Sequence, residues 1–82
     1  MADLYLFDSD GNALARVAEV VRVYSSNVPL LIATVESTTS PHVGSRLIVI
    51  DMDSGEPVAR FVCQHAVQWN GRTVRITGKT DQ

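Results

Sequence analysis

Two pairs of carboxylates, Asp8 with Asp10 and Asp51 with Asp53, come nearest to chemistry in this chain. Each pair follows an apolar run, Leu4 to Phe7 or Leu47 to Ile50, and each is followed by a glycine. A carboxylate at the end of a strand with a second one two residues on can attack a phosphoryl group or hold a divalent cation. Asp8, Asp10, Asn12 and Glu19 also fall at positions one, three, five and twelve of a calcium loop, but position six, which needs glycine for its sharp turn, is Ala13. Cys63 and His65 form the other group, two apart and therefore on one face of a strand. They would begin a metal site, yet there is no second cysteine, and the one further histidine, His42, lies in a polar loop. Phe61, Val67 and Trp69 share that face, so a buried thiol and a hydrogen-bonded core histidine account for the pair. An apolar face also lacks the polar, accessible setting that activates a thiol. On the same reading Trp69 closes the end of the core rather than stacking a ligand.

The element that must position these groups is the stretch from Arg46 to Trp69, which reads as the central hairpin of a small β-domain. Leu47, Ile48, Val49 and Ile50 are apolar on both faces of a strand, so the strand needs cover on both sides. The descending arm alternates, with Phe61, Cys63, His65, Val67 and Trp69 on one face and Arg60, Gln64 and Gln68 on the other. Asn70-Gly71 is a type I′ hairpin signal that returns the chain into Arg72 to Thr77, with Val74 and Ile76 facing in. Upstream, Asp8 to Asn12 is a turn, and Leu30 to Val35 is a strand. Ser25-Ser26-Asn27 with Pro29 marks a second turn, and the loop over 37–45 has no packing surface of its own. The segment from Ala13 to Tyr24 is rich in β-branched valine and follows an Asp-Gly turn, which predicts a strand with Val17, Val21 and Val23 opposing Arg16 and Arg22. The alternative is a helix over 13–24 capped by Asn12, which would make the fold α+β.

Composition narrows the function classes. At 82 residues the chain makes a single domain, with a loop at 37–45 and a polar tail at 79–82. A domain this size buries only about 60% of its unfolded surface, so a partner or a second copy would stabilise it. Hydrophobic content of 45% excludes disorder, and no apolar run approaches the roughly 18 residues of a membrane span. The acidic N-terminal stretch does not resemble a signal peptide, and a lone cysteine fits a reducing compartment, so the expected location is cytoplasmic. Residues 1–57 carry three arginines against eight carboxylates, a balance of −5, while residues 58–82 carry four cations against one carboxylate, +3. Those regions attract each other, within one fold or between copies. No clustered basic face of the kind that displaces counterions from phosphates is present, so nucleic acid is not an expected partner.

Residues 4–16 and 47–60 echo each other with one inserted residue: apolar run, Asp-x-Asp, glycine, then apolar-Ala-Arg. Two such hairpins, each followed by another strand, would build a six-stranded barrel with pseudo-twofold character, although generic turn chemistry also produces this similarity. Both segments resemble the strand and Asp-x-Asp signature of haloacid-dehalogenase-type phosphatases. That chemistry needs a parallel sheet with crossover helices and further Lys and Asp motifs, for which 82 residues leave no room, so the turn reading prevails.

Leu4 to Leu31 also resembles the opening of PRC-barrel domains, the small β-barrels of photosynthetic reaction-centre H subunits and ribosome-maturation factors. Phe7-Asp8-Ser9-Asp10-Gly11, Leu14, Val17 and Val20-Val21 match, and Pro29-Leu30-Leu31 would open the third strand. Ala59 to Gly78 is similar to the closing hairpin. Ala15 stands where that family usually has glycine, and the acidic hairpin at Asp51 to Glu56 is not part of its usual pattern. The resemblance implies a barrel and a non-enzymatic binding role.

These readings converge on an all-β fold, a small antiparallel barrel or barrel-like sheet of five or six strands. The expected function is a non-enzymatic protein–protein interaction module that acts through apolar strand faces or edges, with no cofactor, metal or catalytic residue. The expected partner is another protein or further copies of the chain itself, as a homo-oligomer, with no membrane involved. Ile48, Ile50 and Met52 are the candidate contact residues, with Arg60, Arg72 and Arg75 as candidate charges. The second reading is a self-assembling structural subunit of virion or shell type, in which the −5 and +3 regions meet between copies. A small metal-dependent hydrolase ranks last.

Overall fold

The computed structural model describes residues 3–25 and 28–81. Six strands follow one another: β1 (Leu4–Asp8), β2 (Ala13–Ser25), β3 (Val28–Glu36), β4 (Arg46–Asp51), β5 (Pro57–Trp69) and β6 (Thr73–Thr80). They close into a barrel in the order β1-β2-β3-β6-β5-β4, and every neighbouring pair is antiparallel. The segment from Ala13 onward is therefore a strand and not a helix, as its valines and the preceding Asp-Gly turn require. Strand β6 continues through Lys79 and Thr80, which the sequence reading places in a polar tail. The turn expected at Ser26-Asn27 lies outside the described residues.

Alternation fills the barrel. Leu6, Leu31, Val35, Leu47, Val49, Phe61, Val74 and Ile76 point inward and are almost fully buried, and no polar or charged residue among those described is buried with them. The outward neighbours of β4, Ile48 and Ile50, are half-buried. Gly78 makes the interior fit. A Cβ there would stand 2.5 Å from both the Phe61 ring and the Val62 carbonyl oxygen, so only a residue without a side chain lets Phe61 lie against β6.

Four bulges bend the wall. Two lie just after the acidic turns. Leu6 pairs with Ala15 and Phe7 with Ala13, which leaves Leu14 unpaired; Val49 pairs with Ala59 and Ile50 with Pro57, which leaves Val58 unpaired. The other two fall at Ala18 and Gln64. Each resets the in–out phase, and this corrects three sequence expectations. Beyond Gln64 the inward residue is Ala66, so His65 and Val67 are exposed, and His65 is not a core histidine. Trp69 is 53% exposed and does not close the core. Beyond Ala18 the inward positions are Val20 and Arg22, so Val21 and Val23 face outward while Val17 faces in.

The topology has pseudo-twofold character. Exchanging β1 with β4, β2 with β5 and β3 with β6 returns the same ring, and β2 and β5 each have 13 residues. The two acidic turns share a design. The Asp10 N–H donates to Asp8 Oδ1 (3.0 Å) and the Asp53 N–H to Asp51 Oδ1 (2.9 Å). A glycine N–H then donates to the carbonyl of the first aspartate in each, with Gly11 at φ +88° and Gly55 at φ +76°.

Candidate functional site

The carboxylates singled out by the sequence serve the backbone. Asp8 accepts from the N–H groups of Asp10 and Asn12 and from Asn12 Nδ2 (3.2 Å). The Asn12 N–H above all, reinforced by these other donors, holds its carboxyl below the usual aspartate range. A carboxylate engaged by three donors is a poor nucleophile and has few lone pairs left for a cation. Among the described residues, no three His, Cys, Asp or Glu side chains converge as a metal site would require. Cys63 is buried, and desolvation pushes its thiol up from the ordinary value, outweighing the opposing hydrogen bond at His65. A thiol shifted in that direction is inert at neutral pH.

Two surfaces remain. The first is the outer face of β1 and β4. Tyr5 lies directly opposite Ile50 and Phe7 opposite Ile48, and all four are half-buried. Arg60 faces outward beside Ile48, and Met52 is 47% exposed in the turn that follows β4. The fold therefore brings Ile48, Ile50, Met52 and Arg60 into one neighbourhood. It does not bring Arg72 and Arg75 there: Arg72 lies in the β5–β6 turn, and the Arg75 guanidinium lies over the Trp69 ring, 4.8 Å from its centroid. Tyr5 and Phe7, which complete the patch, are missed by sequence reasoning. Their signal is the same two-sided apolar run that singled out Leu47 to Ile50.

The second surface is a cleft of about 370 Å³ at one mouth of the barrel. The outer end of β2 and the start of β3 project as an arm over the start of β5 and the end of β6. Arg22, Tyr24 and Pro29 line it from the arm, and Pro57, Val58 and Asp81 line it from the mouth. Arg22 and Tyr24 share the inward face of the arm with Pro29 because Tyr24 pairs with Pro29 and Arg22 with buried Leu31. Arg22 Nη2 donates to the Val58 carbonyl at 2.8 Å, which holds the guanidinium across the cleft. Among the described residues the ion pairs join Arg16 to Asp3 and Arg46 to Asp81, so the charge of Arg22 has no carboxylate against it. Arg22 and Tyr24 do not follow from simple alternation, since the bulge at Ala18 is what turns them inward, whereas Pro29 keeps the phase of Leu31, Ala33 and Val35.

No family model, curated protein or solved structure matches this chain. Among the described residues no helix is long and apolar enough to cross a membrane.

Proposed function

We propose that the chain is a non-enzymatic interaction module, and that the outer face of β1 and β4 meets another protein or a second copy of the chain. The observation that carries this is the pairing of Tyr5 with Ile50 and Phe7 with Ile48 on the outside of a barrel whose interior is already filled. Closure of the barrel leaves β1 and β4 without a free edge, so contact there is made by side chains and not by strand addition. A standard interface takes about 800 Å² from each partner, roughly 15% of the 5341 Å² surface, so it would extend past the four aromatic and aliphatic residues onto Met52 and Arg60. The resemblance of Phe7 to Gly11 to PRC-barrel domains supports a binding role of this kind.

Sedimentation equilibrium of the purified chain and of Ile48→Asp tests the proposal. Self-association, or binding to a native partner, that is lost in Ile48→Asp while the thermal transition is retained is the expected result. A clean monomer whose partner binding is unchanged by Ile48→Asp would remove it. The second reading, a self-assembling shell subunit, requires assembly that dissolves as salt screens the acidic and basic regions; assembly through the β1–β4 face persists in salt.

A further inference from the structure

The two mouths of the barrel are built alike and filled differently. At one, the bulge residue Leu14 together with Ala15 and Val35 lines a gap of about 140 Å³, and the opposite wall is the chain's own loop after β3, bent at Thr38–Thr39 and including Ser37, Thr39 and Pro41. Gln68 on the β5–β6 arm donates through Nε2 to the Thr38 carbonyl at 3.1 Å and so ties that stretch to the arm. At the other mouth, Val58, Ala59 and Thr80 occupy the corresponding positions and the gap is about 370 Å³, walled among the described residues by the arm and by the barrel rim, Asp81 included. Arg22 stands where Gln68 does. Each is on the inward face of its arm, Arg22 opposite buried Leu31 and Gln68 opposite buried Val74.

The change from an amide to a guanidinium alters what the site can take. An amide satisfies a backbone carbonyl, and that is what the Ser37–Pro41 stretch offers. A guanidinium already bonded to one carbonyl keeps further N–H donors and a full charge, for which the natural complement is a carboxylate. Beside it, Tyr24, Pro29 and Pro57 supply apolar and aromatic wall. The volume lies within the roughly 300–1,000 Å³ of ordinary ligand pockets.

We propose that this cleft receives a short segment of a partner protein, carrying a carboxylate side chain next to an apolar one, in the place that residues 37–41 fill at the opposite mouth. The carboxylate pairs with Arg22 and the apolar side chain lies against Tyr24 and Pro29. This rests on the interaction-module reading but assigns a different surface from the β1–β4 face.

The test is a titration of the uniformly ¹⁵N-labelled full chain, followed by amide chemical shifts, with an acetylated and amidated hexapeptide of alternating valine and glutamate. The same peptide with glutamine for glutamate, and sodium acetate at equal carboxylate concentration, run beside it. Saturable shifts at Arg22, Tyr24, Val58 and Thr80 are expected, with binding at least tenfold weaker for the glutamine peptide and for Arg22→Gln, and partly retained in Arg22→Lys. Tyr24→Ala, expected to weaken binding as well, serves as the second variant should Arg22→Gln lose its thermal transition. The proposal is overturned by no shifts at millimolar peptide, by equal binding to Arg22→Gln, or by acetate alone giving the same shifts. Shifts confined to Tyr5, Phe7, Ile48 and Ile50 would also overturn it while sustaining the β1–β4 reading. Ile48→Asp leaves the cleft titration unchanged, so the two surfaces fail separately.

Discussion

The first three strands and the last three are two versions of one plan, and the position of a single bulge separates them. Strands β2 and β5 are equal in length and each has a bulge at its second residue, Leu14 or Val58. The second bulge falls at Ala18 in β2 but two residues further along, at Gln64, in β5. Between bulges β2 therefore contributes the inward pair Ala15 and Val17, whereas β5 contributes Ala59, Phe61 and Cys63. What β5 gains inside the barrel it loses from its arm, and the longer β2 arm carries Arg22 and Tyr24 out over the mouth. One half thus uses its residues to fill a core and the other to frame a cleft, with no change in strand length.

The most severe way to break this comparison is to challenge the extra inward residue. Gly78→Ala puts a methyl group into the Phe61 ring and the Val62 carbonyl at once, and backbone cannot move aside cheaply. The expected loss is about 3 kcal/mol or more by chemical denaturation, at the upper end of overpacking effects. Phe61→Val alone should also cost about 3 kcal/mol by leaving a cavity. In the double variant the losses should not add: the ring clash vanishes and only the carbonyl clash remains, so a coupling of at least 1 kcal/mol is expected from the double-mutant cycle. Additive losses would mean that Phe61 and Gly78 do not share one space.

A smaller effect distinguishes the inward residue next to that bulge. Burial raises the Cys63 pKa, so the folded state holds its proton more tightly than the unfolded chain does. The stabilisation is complete below the ordinary thiol value of 9.0 and is lost as pH rises from there through the raised folded value. Denaturation midpoints should therefore fall above pH 9 in the native chain, and Cys63→Ala should lack that component of the slope. Equal slopes in the two chains would show that the thiol ionises as freely in the folded state as in the unfolded one.

The two acidic turns offer a milder contrast, since they share a pattern but not a bond count. Asp8 accepts three hydrogen bonds where Asp51 accepts one from its side-chain turn, and the Asp8 carboxyl is lowered, chiefly by the Asn12 N–H. A lowered carboxylate contributes stability that is present above its ordinary value of 3.8 and disappears as pH falls through the folded value. Asp8→Ala should lower the thermal midpoint more than Asp51→Ala at pH 7, and the gap should close as the buffer is taken below pH 3.8. A larger effect at Asp51 would overturn the ranking.

Much of this plan was legible in the residues. Alternation in β4 and β6, the Asn70-Gly71 turn, whose two residues do take positive φ, and the echoed Asp-x-Asp turns all point to an antiparallel barrel from the sequence. The bulges were not legible. Ala18 and Gln64 are ordinary strand residues, and nothing local requires the chain to slip there; the slip is set by how the closed wall must bend. Every residue downstream of a bulge changes face, which is why His65 and Trp69 are outside and why Arg22, read as lying opposite the face of Val17, turns toward the cleft. A face assignment by strict alternation is sound only as far as the first bulge.

The mildest test concerns the shorter arm, where Arg75 lies over the exposed Trp69 ring. On the β2–β3 arm the charged residue bridges to the opposite rim; here the cation stays on its own hairpin and stiffens the tip. An exposed cation–π contact contributes about 0.5–1 kcal/mol, so Arg75→Gln should cost no more than that. Trp69 is the only tryptophan, which makes its emission a direct reporter. Loss of the guanidinium should change the emission maximum and increase iodide quenching while leaving the thermal midpoint within a few degrees. An unchanged spectrum would show that the ring and the cation do not stay together in solution, and would leave the type I′ turn as the main constraint on this tip.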